Sequence, residues 1–281
     1  MSTRAIRKLA AASVLAFAAS ASQAALENSW NYTLELNWIT SSVVFNPGNG
    51  PNDPNHPGST TVSEHLLSWG ALGGNYLVPD TDPGKNHSAL EITDPSVSGT
   101  IVTNGASVAA NMFTHYNSPI WSLYPDLAKA QLSVSIALTS LDGAAFFKID
   151  RVFEVNFKET PNTGLQCGYG LCDNDIFAIV SIAPTLDNLT SSFTFGGYEY
   201  TFNYFETTNN LKPLAAAACE AAGIATGRAC YGFTTPESMA TAVQFGFSVT
   251  AVPEPETYAM LLAGLGMIGV VVRRRRNTTH N

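Results

Sequence analysis

Few residues of this chain stand in a pattern that does chemistry. Thr114-His115-Tyr116-Asn117 sets one imidazole between hydroxyl and amide groups, just ahead of Ser118-Pro119. An imidazole titrates near neutral pH and ligates metals through either ring nitrogen. A metal or catalytic role needs partners that converge in space, however, and no His-x-His or His-Glu-x-x-His spacing is present. The simpler reading is structural, because Thr and Asn side chains hydrogen-bond neighbouring backbone where a strand turns, here at Pro119. Asp173-Asn174-Asp175 lines up three oxygen-bearing side chains, and carboxylate oxygens suit calcium. The Gly and bidentate Glu that complete an EF-hand loop do not follow. A turn that opens the strand Ile176 to Ile182 is the simpler account, with Asp173 and Asp175 as calcium candidates beside it and no other cofactor implied. No Gly-x-Ser-x-Gly elbow, phosphate-cradling glycine loop or dinucleotide fingerprint occurs, so no catalytic residue is assigned. Carboxylate pairs for sugar hydrolysis stay open, since folding rather than sequence brings them together.

Cys167, Cys172, Cys219 and Cys230 are the four cysteines. An even number in an exported chain reads first as disulfides. A four-thiolate zinc site wants two Cys-x-x-Cys hooks, and neither spacing matches. Of the three pairings, nearest neighbours are favoured, Cys167 with Cys172 and Cys219 with Cys230. Gly168 and Gly170 let the short loop close, and a long gap separates the pairs.

The two ends are targeting segments. Arg4, Arg7 and Lys8 precede the apolar run Leu9 to Ala19, and Ser22-Gln23-Ala24 supplies small residues for cleavage after Ala24, so residues 1–24 read as a signal peptide. At the other end come Val252-Pro253-Glu254-Pro255, the uncharged run Thr257 to Val272, and Arg273, Arg274, Arg275 and Arg276. Sixteen helical residues reach about 24 Å, slightly short of the roughly 30 Å hydrocarbon core, and snorkelling arginines make up the difference. Positive residues stay in the cytoplasm, which places residues 25–251 outside and 277–281 inside. Pro253 and Pro255 lack N–H groups and fix φ, so Glu254 is held on an extended, exposed stretch at the membrane face. The outer segment carries seven basic against twenty acidic side chains. Such a surface repels phosphate backbones, so nucleic acid is excluded as a partner.

Strand-like alternation organises the outer segment. Trp30, Tyr32, Leu34, Leu36 and Trp38 alternate with polar residues, as do Leu132 to Leu138, Phe153 to Phe157 and Val243 to Val249. Each strand has one buried and one wet face, as in antiparallel sheets. Arg151 breaks the apolar parity of Phe147, Ile149 and Phe153, which suggests a bend or a sheet edge. Gly196-Gly197, between Phe193 and Phe195 on one side and Tyr198 and Tyr200 on the other, predicts a two-residue hairpin turn. Asn46 to Pro57 reads as a long surface loop, and Pro213 to Ala222 as a short helix ending near Gly223. The fold class is all-β: one antiparallel β-sandwich or jelly-roll-like domain, with a cleaved signal peptide and one C-terminal transmembrane helix.

In order, Pro-Glu-Pro, an apolar span and a basic tail resemble the PEP-CTERM sorting signal over Val252 to Arg276. That resemblance implies an exosortase as partner and membrane contact through residues 257–272 before processing. Phe113 to Ile120, with upstream support from Glu64-His65 and Leu67-Ser68-Trp69-Gly70, resembles the signature of the THxN family of PEP-CTERM proteins. The resemblance implies a β-rich extracellular domain without an assigned biochemical role, non-enzymatic and associated with exopolysaccharide. Two alternatives stand beside it. A sugar-binding module needs a row of exposed, coplanar aromatics, and a secreted hydrolase needs converging carboxylates or a histidine with a shifted pKa.

Overall fold

A computed structural model describes residues 25–48, 58–77, 83–162, 166–167, 170–171, 174–180 and 189–278. The signal-peptide segment, most of the 46–57 loop, Asp173 and Cys172 lie outside the described residues. In chain order the strands are β1 (Ser29–Trp38), β2 (Val44–Asn46), β3 (Gly58–Val62), β4 (Leu66–Ala71), β5 (His87–Ile92), β6 (Ser96–Val102), β7 (Val108–Asn117), β8 (Asp126–Ser140) and β9 (Phe146–Lys158). They continue as β10 (Gln166–Cys167), β11 (Gly170–Leu171), β12 (Asp175–Val180), β13 (Leu189–Phe195), β14 (Tyr198–Glu206), β15 (Lys212–Pro213), β16 (Cys230–Thr235) and β17 (Met239–Pro253). The helices are α1 (Ala216–Ala221) and α2 (Pro255–Thr278).

Two antiparallel sheets pack together as a sandwich. One runs β15-β16-β12-β9-β8-β1-β6 with β2 added beside β8, and the other runs β13-β14-β17-β7-β5-β4-β3. Period-two patterning decides which face goes inside. Trp30, Leu34, Leu36 and Trp38 of β1 are fully buried, as are Leu138 of β8, Val155 of β9, and Val243 and Phe247 of β17. Aromatic rings fill the interior, with Phe177 stacked on Phe233 at 4.8 Å and Phe113 tilted against both.

Arg151 is exposed and sits on β9 opposite Val134 of β8. Among the described pairings β12 meets β9 only over residues 155–158, so Arg151 lies where β9 has lost its second neighbour. Its guanidinium donates to the Asp150 carbonyl and to Ser191 Oγ. The edge expected from its parity is a local one, inside an otherwise central strand.

Helix α1 is six residues long and buries Ala218 and Cys219. Gly223 follows it with a φ of +83°, a conformation that ends helices readily. The Cys219–Cys230 disulfide ties α1 to β16, as expected from the spacing.

The chain groups into two compact units, Ser29–Ser191 with Phe202–Val249, and Met1–Asn28 with Ser192–Thr201 and Thr250–Asn281. In the second unit Gly196 and Gly197 form the hairpin turn with φ of +60° and +79°, and Phe193 stacks on Tyr200 at 5.3 Å. Both positive angles are what a primed turn requires. The Tyr200 hydroxyl accepts from the Glu27 amide at 2.6 Å. Helix α2 starts at Pro255, where a missing N–H costs nothing in the first turn. Its described apolar residues, among them Met260, Leu262 and Ile268, are exposed. Among the described residues no helix is long and apolar enough to cross a membrane.

Candidate functional site

Strand alternation divides the Thr114 to Asn117 motif between two environments. His115 and Asn117 point inward with Phe113 and have no exposed surface, whereas Thr114 lies beside Tyr116 on the opposite face of β7. There the Glu91 carboxylate and burial raise the Tyr116 phenol above its ordinary pKa, burial being the larger cause.

His115 bridges the sandwich. Its Nδ1 lies 2.8 Å from Thr235 Oγ1 at the end of β16, in the other sheet. Thr235 Oγ1 donates its only hydrogen to Thr241 Oγ1 at 2.9 Å, so Nδ1 must be the donor in the His115 contact. The neutral ring therefore carries its proton on Nδ1 and turns the Nε2 lone pair toward Asp175 Oδ2, 3.8 Å away. Asn117 Nδ2 donates to the Thr235 carbonyl at 2.8 Å and fixes the same strand end. Trp69 of β4 stacks on His115 at 6.3 Å, and Phe157 meets the ring edge-on at 5.0 Å. Sealed among these rings, the imidazole is held neutral, with its pKa pushed down by burial to about 3.

Three carboxyl groups converge beside it. Asp175 opens β12 and is fully buried, opposite Thr235 in the strand register. Glu159 follows the end of β9, and Glu237 lies in the link from β16 to β17 where Ser238 takes a φ of +58°. One oxygen of each lies within 4.8 Å of the others. Thr160 donates to Asp175 Oδ1 through its backbone N–H at 2.9 Å and its hydroxyl at 3.3 Å. Trp69 Nε1 donates to Glu159 Oε2 at 2.8 Å. Burial is the main reason that both the Asp175 and the Glu159 carboxyls are raised above the usual range, and the nearby Asp175 charge adds to the rise at Glu159. No Lys or Arg forms an ion pair with either acid among the described residues.

Gly70, next to Trp69 on β4, lets the strand pass close to the backbone of Asn86 and His87. Its φ is +133°, and a Cβ there would stand 2.4 Å from the Asn86 carbonyl oxygen. Outside the centre, a cleft of about 640 Å³ has Glu159 and Thr160 in its wall, together with Asn46, Trp121, Asp126 and Lys158. Trp121 is partly exposed and lies parallel to Tyr124, with ring centroids 6.3 Å apart. Asn46 donates to Asp126 Oδ1 at 2.6 Å on the cleft wall.

The residues singled out in the sequence thus separate. His115, Asn117 and Asp175 meet in the interior, and Trp69 of the upstream Leu67 to Gly70 segment joins them. His65 does not: it lies at the surface, its Nε2 3.1 Å from Asn37 Oδ1. Asp175 is no part of a surface turn, because β12 begins at Asp175 itself and its parity turns the carboxylate inward. Its companion Asp173, and the Cys167–Cys172 pairing, lie outside the described residues. Glu159 and Glu237 were not singled out, since acids 78 positions apart carry no local signal and only the sheet register brings them together.

At the C-terminal end, β17 runs extended through Val252 and Pro253, and the ladder stops where proline lacks a donor. Glu254 is half-buried rather than fully exposed, and its backbone N–H donates to the Gly197 carbonyl at 3.1 Å. Arg273 is exposed on α2, and the side chains of Pro255 and Arg274 to Arg276 lie outside the described residues. Comparison with curated proteins finds no match. Residues 251–276 match the model of the PEP-CTERM protein-sorting motif, so the chain carries this sorting signal from the last residues of β17 onward.

Proposed function

We propose that this protein is exported, held as a membrane-anchored precursor and processed by an exosortase, which delivers a non-enzymatic β-sandwich of the THxN type to the cell surface or extracellular matrix. The observation that carries this reading is the run of β17 into the matched motif: the strand that ends at Pro253 supplies the first motif residues. The domain is thereby displayed within a few residues of the membrane face. On this reading the exposed apolar residues of α2 make the membrane contact of the precursor although the described part of the helix is not long and apolar enough to cross a membrane, and Arg273 with the arginines after it marks the cytoplasmic end. Against a hydrolase stands the burial of His115 and Asp175, neither of which has solvent-exposed surface. Exopolysaccharide is the matrix component with which we associate the domain. Glu254→Ala tests the reading: the protein should accumulate unprocessed and membrane-held, with its signal peptide already removed. Normal processing of Glu254→Ala would remove Glu254 from the recognition step.

A second reading is favoured by the cleft alone. Trp121 beside polar Asn46, Asp126, Lys158 and Asn162 offers a sugar ring one aromatic platform and several hydrogen-bonding groups. A glycan-binding screen of the purified protein distinguishes the two, because Trp121→Ala should abolish any binding in the cleft.

A further inference from the structure

We infer that the interior of the sandwich is a metal centre, in which a divalent transition-metal ion of the Zn²⁺ or Mn²⁺ class is bound by His115 Nε2, Asp175 Oδ2 and the carboxylates of Glu159 and Glu237. The assignment rests on how the polar atoms are divided. In His115, Asp175 and Glu159 one side-chain atom is fastened to the protein, Nδ1 to Thr235, Oδ1 to Thr160 and Oε2 to Trp69. The other atom of each, Nε2, Oδ2 and Oε1, is buried without a hydrogen-bond partner. That is the arrangement in which outer groups orient a ligand and leave its second atom for a metal. An orphaned buried polar atom is costly, and three in one place call for a common partner.

The chemistry of the three atoms narrows that partner. The tautomer fixed by Thr235 leaves a lone pair on Nε2, and the two carboxyl oxygens, once ionised, have only lone pairs to offer, so all three are then acceptors. A water has two hydrogens and cannot satisfy three acceptors. The 3.8 Å between Nε2 and Asp175 Oδ2 is too long for a shared proton. An ion about 2.1 Å from each atom would subtend about 130° across this 3.8 Å gap, an ordinary ligand–metal–ligand angle. Oxygens within 4.8 Å of one another reach the spacing of about 3.4 Å that two ligands of a tetrahedral ion keep by closing at most about 1.4 Å, within the reach of side-chain rotation. Two positive charges would also offset a buried cluster that, among the described residues, has no Lys or Arg paired to Asp175 or Glu159. An imidazole ligand in a compact four-residue set suits zinc or manganese, whereas calcium takes six to eight oxygens. Glu159, half-buried in the cleft wall, gives the ion its way in.

Elemental analysis of the full-length chain purified in detergent, followed by chelation and refilling, tests the inference. About one zinc or manganese per chain is expected, with a lower melting temperature after chelation that Zn²⁺ or Mn²⁺ restores and Ca²⁺ does not. Co²⁺ introduced after chelation should give visible absorption bands that are lost in His115→Gln. Should that variant fail to fold, Glu237→Gln, altered in the link rather than in a strand, should weaken Zn²⁺ binding at least 100-fold. The surface variant Glu154→Gln should bind as the parent does. A chain that contains no metal, is unmoved by chelation and shows no Co²⁺ bands would overturn the inference and leave a cluster of carboxyls that share protons. Restoration by Ca²⁺ alone would overturn the choice of metal.

Discussion

Replacing Cys219 and Cys230 together with Ala removes the tether that holds α1. The two cysteines are 11 positions apart and both are about 1 % exposed, packed with Ile176, Ala178, Val180 and Ile224. A six-residue helix has too few internal hydrogen bonds to persist by itself. Its order therefore depends on this cluster, on the disulfide and on the bond from the Leu214 amide to the Cys230 carbonyl. For a ring of this size, the loss of loop-closure entropy in the unfolded chain corresponds to about 3 kcal/mol. Alanine leaves the apolar packing largely in place, so the entropy dominates. For a domain of roughly 200 residues each kcal/mol moves the melting temperature by about 2–4 °C, and the double variant should melt about 6–12 °C below the parent. Calorimetry of both proteins without reductant reads the difference and leaves the other two cysteines unchanged. A variant that melts within 2 °C of the parent would refute the reasoning, because it would mean that α1 and β16 are held in place by packing alone.

Gly70→Ala combines an unfavourable φ with a clash against the Asn86 carbonyl, so it should cost at least about 2 kcal/mol, read as a lower urea midpoint. His87 is buried on β5 and its pKa is lowered, chiefly by desolvation. The unfolded chain takes up that proton first, so His87 contributes stability above about pH 6.5 that is lost on acidification. His87→Gln should flatten the fall in urea midpoint between pH 7 and pH 5, and an unchanged slope would contradict the assignment. Substituting Ser for Arg273, Arg274, Arg275 and Arg276 should let part of the protein escape uncut into the medium, which fractionation and blotting would detect.

Period-two patterning made the sandwich legible because each strand has one dry face. Trp30 to Trp38 and Val243 to Val249 face inward as their alternation requires. The Gly196-Gly197 turn and the end of α1 at Gly223 were legible for a similar reason, since both need backbone angles that favour glycine. The interior cluster was legible only in its pieces. Trp69, His115, Glu159, Asp175 and Glu237 come from β4, β7, the end of β9, the start of β12 and the link before β17. Their convergence depends on strand order and on the packing of one sheet against the other, neither of which leaves a mark in local spacing. Asp175 shows the limit most clearly. Beside Asn174 it reads as a turn residue, and a strand that starts one position later would have left it outside. His115 reads in the sequence as a strand-end polar residue; in the fold its Nδ1 meets Thr235 and its Nε2 faces an acid 60 positions away in the sequence.

The central claim, that residues 251–276 are a sorting signal and not a permanent anchor, is tested most directly by mass spectrometry of the C-terminal peptide of the native protein. In cells with an active exosortase the mature protein should lack the segment from Thr257 to Asn281, and in cells without the enzyme it should retain that segment. A mature protein that keeps Thr257 to Asn281 in the presence of active exosortase would contradict the account and make α2 a plain membrane anchor.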